Sequence, residues 1–421
     1  MMVKIIKRCF LACLFLTIPQ QCLGSGFAVF TQGASSLGEG LATVAHGENP
    51  EAIYFNPALI NKIERTQIET GVTFVFPSNE YKSNLLNKIT STESGFYFPS
   101  TLYITHKFNN KISAGIGVFT PFGLGTEWNP DWEGRYITTK AEMKTFNFNP
   151  VVSYQLSPSV FLAGGLNLLL VEATLQNKIN FTTLALTDGD QEFSGDGNGL
   201  GFNLGLYTKL SRNISFGVSY RSEIEVDIKG GVSFQLPSPA LSAFFPDTNG
   251  NTTITFPQQL HVAFAYSGLD RVTFEFGVRW EGWSSYDKLE INLEQPVNGL
   301  TTYITPKNWD STISLAMGGR FELNENINLL AGYVRGSDPI PDGTFDPIVP
   351  DSTTDALTCG AEIKFKKYKI GLAYSFQKWK EREKNNSVGA VFSGGAISDA
   401  RVNGIYEGHS HFISTSFIYM F

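Results

Sequence analysis

The chain has 421 residues, 13% of them aromatic (34 Phe, 16 Tyr, 6 Trp), with 41 Gly, only 17% charged residues and a net charge of -7. So many aromatics exclude intrinsic disorder, whose chains are poor in them, and an acidic balance without a basic cluster speaks against nucleic-acid binding. No run of about 18 apolar residues occurs, which excludes a helical membrane protein, while a mean hydropathy of -0.06 suits apolar residues spread over alternate positions, as in a transmembrane β-barrel.

Residues 1–24 read as a secretory signal. Lys4, Lys7 and Arg8 form a positive start, Cys9 to Ile18 an apolar stretch that Pro19 ends, and Cys22-Leu23-Gly24 places small residues at a cleavage site. The apolar stretch is too short to cross a bilayer. Its removal takes away Cys9, Cys13 and Cys22 and leaves Cys359 alone. No disulfide within the chain and no cysteine-based metal site are then expected.

Residues 25–62 do not alternate. They are rich in small residues: Gly26-Phe27-Ala28, the stretch from Ala34 to Thr43, and Asn56-Pro57-Ala58-Leu59. A wide barrel leaves an open lumen unless something fills it, and a small-residue segment able to form short helices would fill it. The expected division is a signal peptide at 1–24, a hatch at 25–62 and a barrel at 63–421.

From residue 63 onward, strict alternation takes over. In Val272-Thr273-Phe274-Glu275-Phe276-Gly277-Val278-Arg279-Trp280 every even position is large and apolar and every odd one polar, charged or glycine. Ile214 to Arg221 and Ile370 to Phe376 follow the same rule. Side chains of a strand point alternately to opposite faces, so each segment has one apolar and one polar face. The polar faces carry Glu275, Arg279, Arg221 and Arg320, which suit a wet lumen better than a second packed sheet. In hydrocarbon such strands must close into a barrel. The fold class is therefore all-β, a transmembrane antiparallel barrel of about fourteen strands. The expected spans lie near 63–76, 97–108, 111–120, 140–156, 159–176, 200–211, 213–229, 257–267, 270–284, 308–323, 325–335, 354–366, 367–381 and 409–421.

Turns alternate in length. Leu210 to Asn213 and Leu323 to Asn326 are short and expected in the periplasm, whereas 177–199, 230–256, 285–306, 336–353 and 382–408 read as extracellular loops. The last residues place Phe417, Tyr419 and Phe421 on one face, the aromatic ending that the assembly machinery of bacterial outer-membrane barrels reads.

Several segments resemble the long-chain fatty acid and hydrocarbon transporter family of the outer membrane (FadL/TodX-like). Gly26-Phe27 is similar to the family's start, and Leu37-Gly38 with Asn56-Pro57-Ala58 to its hatch. Pro121 to Trp128 followed by Asp131 to Tyr136 resembles its first large loop. Asn147 to Tyr154, Gly201 to Gly205, Tyr220 to Ile224 and Asp338 to Asp342 are similar to further parts of it. The resemblance implies capture of an apolar substrate outside, an apolar pocket under the loops, and sideways release through a gap in the wall where one strand is kinked. A greasy molecule gains nothing from a water-filled pore but partitions readily into the bilayer core.

On that footing, Phe27, Val29, Phe30 and Leu37 are expected to wall the apolar pocket, and Phe119, Phe122 and Leu124 to form an outer capture surface. Asn56, Pro57 and Ala58 would anchor the hatch, since Asn bonds local backbone and Pro fixes its bend. A carboxylate ligand would want a cation, for which Arg135, Arg221, Arg279 and Arg320 are the candidates. The expected partners are a hydrophobic small molecule, outer membrane lipid and lipopolysaccharide, and the barrel assembly machinery, with the protein itself a monomer and no cofactor. An enzyme is not expected, because none of the five histidines sits in an active-site motif. His409 and His411 share a face without a third ligand, so no metal is expected. Acid against neutral hydrocarbon stays open, and a general porin or an adhesin barrel remains the competing reading.

Overall fold

The computed structural model describes residues 26–389 and 402–421. The expected signal peptide and the centre of the 382–408 loop lie outside the described residues.

The chain forms a closed antiparallel barrel of fourteen spans, several of them interrupted. In order they are Thr66–Ser83; Ile89–Ser91 with Ser100–Lys107; Ile112–Phe119 with Gly123–Glu127; Lys140–Ser157; Val160–Ile179; Gly189–Lys209; and Ile214–Arg221 with Ile224–Gln235. The second half runs Thr248–Phe256 with Gln259–Leu269; Val272–Glu281 with Lys288–Val297; Leu300–Pro306 with Thr312–Asn324; Ile327–Gly336; Thr354–Lys364; Tyr368–Lys384; and Gly404–Met420. The first span pairs with the last, from Gln67 opposite Met420 to Ser83 opposite Gly404, which leaves no free edge.

The alternation decides the register. On the ninth span Phe274 and Phe276 point outward, while Glu275 and Arg279 are buried inside. Phe417 and Phe421 likewise face outward near the barrel end. The turns at 210–213 and 325–326 are short, as expected.

The loops differ from expectation. Much of 177–199, 230–256 and 285–306 is paired strand that continues beyond the apolar belt. Val160–Ile179 pairs with Gly189–Lys209 up to Ile179 opposite Gly189, and Lys288–Val297 forms a hairpin with Leu300–Pro306. Above the membrane neither face meets lipid, so the hydrophobic alternation fades (Gly195, Gly197 and Gly199 stand there) while the backbone ladder persists. Residues 337–353 hold no strand and fold inward. Arg382 of the thirteenth span donates to Ile340 O at 2.6 Å and to Asp342 at 2.8 Å, and also pairs with Asp338.

Residues 26–65 precede the barrel and carry two short helices, Ala34–Gly38 and Ala52–Phe55, and a 3-10 turn, Pro57–Lys62. Two large apolar clusters result. One gathers the strand tops, the loops and Phe27. The other surrounds Ile53 to Ile63 together with Tyr103, Phe119 and Tyr207 of the wall.

Candidate functional site

The N-terminal segment lies inside the barrel and is held by wall residues on all sides. Asn56 caps the Pro57–Lys62 turn, its Oδ1 accepting from Ala58 N at 3.1 Å, while its Nδ2 donates to Val44 O and to Leu206 O of the sixth span. Pro57 at the first position of that turn has no N–H to leave unpaired. Arg221 Nη2 donates to the carbonyls of Ile53 and Tyr54, at 3.0 Å each. Ser153 Oγ donates to Ala58 O at 3.0 Å.

A second set of bonds is charged. Glu275 accepts from Val44 N at 2.6 Å, Ala45 N at 2.8 Å and His46 Nδ1 at 2.7 Å. His46 Nε2 lies 2.8 Å from Glu39, whose other oxygen accepts from Arg320 Nη2 at 2.6 Å. Burial works against the charge on His46, but Glu39 and Glu275 outweigh it and raise its pKa from 6.5 to about 9. The imidazole is therefore a cation clamped between two carboxylates at neutral pH. Ser36 donates from N and Oγ to Glu51, which burial and then Glu69 push well above the usual carboxylate range.

Small wall residues make the fit possible. A Cβ on Gly318 would stand 1.9 Å from Glu39 O, and one on Gly217 2.1 Å from Val44 O. The wall at these places is bare backbone against backbone.

Above this plug lies an aromatic cage. The Phe27 ring centroid is 4.9 Å from that of Trp309, 5.5 Å from Trp283 and 5.7 Å from Tyr286. Phe122 packs on Phe256 at 4.8 Å and on Trp283 at 6.0 Å. The third span breaks between Phe119 and Gly123, and the N-terminal arm takes up the freed backbone groups. Val29 N donates to Pro121 O at 3.0 Å and Gly123 N to Phe27 O at 2.9 Å.

Of the residues singled out in the sequence, Phe27, Phe122 and the half-buried Leu124 meet in the upper apolar cluster. Val29 lies against Gly123 at the break. Phe30 and Leu37 border a separate small cavity with Leu41 and Val334. Phe119 and Phe122 do not form an outer surface. Phe119 is fully buried against Tyr54, 5.2 Å between centroids, and Phe122 faces the cage. Phe119 shares the inward parity of Ser113 and Gly117, and Phe122 lies in the break that follows, where the chain bends in. Trp283, Tyr286 and Trp309 carry no periodic signal in the sequence, because they stand between the paired segments.

The arginines separate clearly. Arg135 lies in the loop between the third and fourth spans, bonded to Asp188 at 2.8 Å. Arg221 and Arg320 are occupied by the N-terminal segment. Arg279 stacks on the Phe30 ring at 4.0 Å and has a 3.4 Å ion pair with Glu281, yet its Nε and Nη2 make no hydrogen bond. His409 and His411 lie on the outer face, 5.5 Å between ring centroids, and no group of three metal-ligating side chains occurs among the described residues.

The family model described as outer membrane protein transport protein (OMPP1/FadL/TodX) matches residues 15–421. The long-chain fatty acid transport protein of Escherichia coli K12 is 21% identical over 405 residues, covering 85% of this chain and 89% of that protein. Among solved structures, a Pseudomonas aeruginosa FadL homologue aligns with a TM-score of 0.81 at 18% identity, over 94% of this chain and 99% of that one. The P. putida toluene transporter TodX aligns with a TM-score of 0.74 at 18% identity, over 92% and 98%.

Proposed function

The chain belongs to the outer membrane protein transport protein family (OMPP1/FadL/TodX), and from that premise we propose that it takes up hydrophobic molecules, long-chain fatty acids first among them. The single observation that carries this reading is the seat of the N-terminal arm. Phe27 occupies an aromatic cage above a plugged lumen, an arrangement suited to holding a greasy ligand and not to passing ions.

Substrate would reach the cage from the extracellular side, since the tops of the spans and their loops form the apolar cluster. Release would follow through the break in the third span, where the arm and the wall share backbone bonds. A shift of the arm would then free wall and ligand together. Residues 1–24 would be removed on export, residues 25–62 would act as the hatch, and the aromatic face of Phe417, Tyr419 and Phe421 would be the assembly signal. The mature barrel would work as a monomer in lipid and lipopolysaccharide.

A second reading, uptake of aromatic hydrocarbons, draws support from the phenyl-sized cage around Phe27. The test is uptake of labelled oleate and of toluene by cells carrying the intact chain or a chain lacking residues 25–58. Faster entry of either substrate than in a barrel-free control supports transport. Entry of neither removes the proposal, and large ion conductance from the intact chain would mark a general porin instead.

A further inference from the structure

The end of the barrel with the short turns, the periplasmic end of such a barrel, carries one turn unlike the rest. The turns at 108–111, 158–159, 210–213, 270–271 and 325–326 hold at most one cation each. The turn from the twelfth to the thirteenth span reads Lys364-Phe365-Lys366-Lys367-Tyr368, and every one of these residues is exposed. Its backbone is pinned across the turn and from both sides. Phe365 N donates to Tyr368 O at 2.7 Å, Lys364 N to Asn326 O at 2.7 Å, and Met420 N to Lys367 O at 2.8 Å. The ammoniums of Lys364, Lys366 and Lys367 form no ion pair or hydrogen bond among the described residues. Lys369, further along the strand, differs: it turns inward to Asn49 Oδ1 at 2.7 Å and to Glu362 at 3.5 Å. Apolar surface leads away from the unpaired cations along the outer face. The Phe365 ring stacks on Tyr368 at 4.4 Å between centroids, and Tyr368 on Phe417 of the last span at 5.8 Å. Leu372 follows on the thirteenth span and is exposed as well. One patch thus offers positive charge at the rim, and stacked rings and alkyl surface above it.

We propose that this patch holds an anionic glycerophospholipid of the periplasmic leaflet, its phosphate on Lys364, Lys366 and Lys367 and an acyl chain along Tyr368, Leu372 and Phe417. Charge complementarity decides the occupant. A chain of net charge -7 concentrates unpaired cations where the membrane headgroups begin, and basic residues at that depth attract anionic lipid. Lysine side chains reach from the rim to a phosphate while their stems lie on apolar surface, and aromatic rings favour the same interface. A zwitterionic lipid brings its own ammonium beside the phosphate and gains less from the lysines. The same hairpin meets the plug on its inner side. A Cβ on Gly371 would stand 3.2 Å from that of Ala34, and Lys369 bonds Asn49. A lipid bound outside therefore braces the stretch of wall on which the first short helix of the plug rests.

The test uses the purified full-length barrel, delipidated in a neutral detergent, with native mass spectrometry reading the lipid retained. The probes are phosphatidylglycerol, phosphatidylethanolamine with the same acyl chains, and inorganic phosphate. Phosphatidylglycerol is expected to bind about tenfold more tightly than phosphatidylethanolamine, with a preference that shrinks as salt rises. Lys364→Gln, Lys366→Gln and Lys367→Gln should each weaken it about fivefold, and the three together about a hundredfold. Lys111→Gln, Lys209→Gln and Arg212→Gln together remove the same charge from other turns and should leave the affinity within about twofold. The single variants give the same reading should the triple one fail to reach the heat-modifiable folded form. Equal binding of the two lipids, or an equal loss in the two triple variants, overturns the proposal. Displacement of the lipid by millimolar inorganic phosphate would mark a site for the free ion and overturns it as well.

Discussion

The carboxylate of Glu275, on a barrel strand, lies 2.7 Å from Nδ1 of His46, in the segment that fills the lumen. The same carboxylate also accepts from two consecutive backbone N–H groups, of Val44 and Ala45. One wall residue thus holds a charge and two backbone donors of the plug at once.

That relationship makes the seat of the plug depend on pH. The folded pKa of His46, about 9, lies above its ordinary value of 6.5. The stabilisation is therefore fully present below pH 6.5 and is lost as pH rises through 9, about 3 kcal/mol in all. Amide hydrogen exchange of residues 34–62, corrected for intrinsic rate, should show lower protection at pH 10 than at pH 7. In His46→Gln this difference should shrink. Unchanged protection across that range in the native chain would contradict the assignment.

Replacing Glu275 by Ala should loosen the plug without opening the barrel. It leaves the Val44 and Ala45 amides and the Nδ1–H of His46 without their partner, with Glu39 still on Nε2, and loss of one side of a buried charged pair costs about 3–5 kcal/mol. In planar bilayers the variant should conduct ions more often than the native chain, while heat-modifiable mobility, a measure of the intact barrel, stays the same.

Gly318 should respond to an added methyl group and Gly164 should not. At Gly318 the Cβ would meet Glu39 O at 1.9 Å, whereas at Gly164 its nearest neighbour is Leu204 at 3.7 Å, an ordinary contact. Gly318→Ala is expected to displace the plug and lower uptake, and Gly164→Ala to leave both unchanged. Limited proteolysis of the N-terminal segment together with oleate uptake checks the pair.

Asn56→Ala removes a cap of the 3-10 turn and the donor to two carbonyls from separate parts of the chain. The local cost should be about 1–3 kcal/mol. Asn56→Asp, which keeps the cap acceptor but loses both donated bonds, should recover only part of it. Protease sensitivity of residues 40–62 in the three proteins orders the effect.

Much of this architecture is legible in the amino-acid order because a strand between lipid and a polar lumen must alternate. Phe274 and Phe276 outside, with Glu275 and Arg279 inside, follow from parity alone. The same rule does not reveal strands that rise above the membrane, such as Gly189 to Gly199, where neither face meets lipid, Phe193 alone carries a large apolar side chain inward, and the pattern dissolves. Contacts between the plug and distant strands are equally silent. Nothing local to Gly318 announces Glu39, and nothing near Arg221 announces the carbonyls of Ile53 and Tyr54. The aromatic cage is hidden for a related reason: Trp283 and Trp309 sit in the irregular stretches between paired segments, where no period marks which way a side chain points. Phe119 is ambiguous in the sequence because a residue beside a strand break can belong either to a loop or to the wall.

The seam between the first and last spans has a consequence for how the protein is made. Gln67 pairs with Met420 across nearly the whole chain, so this contact carries the largest loop-closure cost and belongs late in folding. The plug precedes the first span and bonds to strands all round the ring. It must be enclosed as the sheet curls, because a finished cylinder offers its bulky, hydrogen-bonded helices no easy entrance. The order of events is thus written into the topology: content first, closure afterwards.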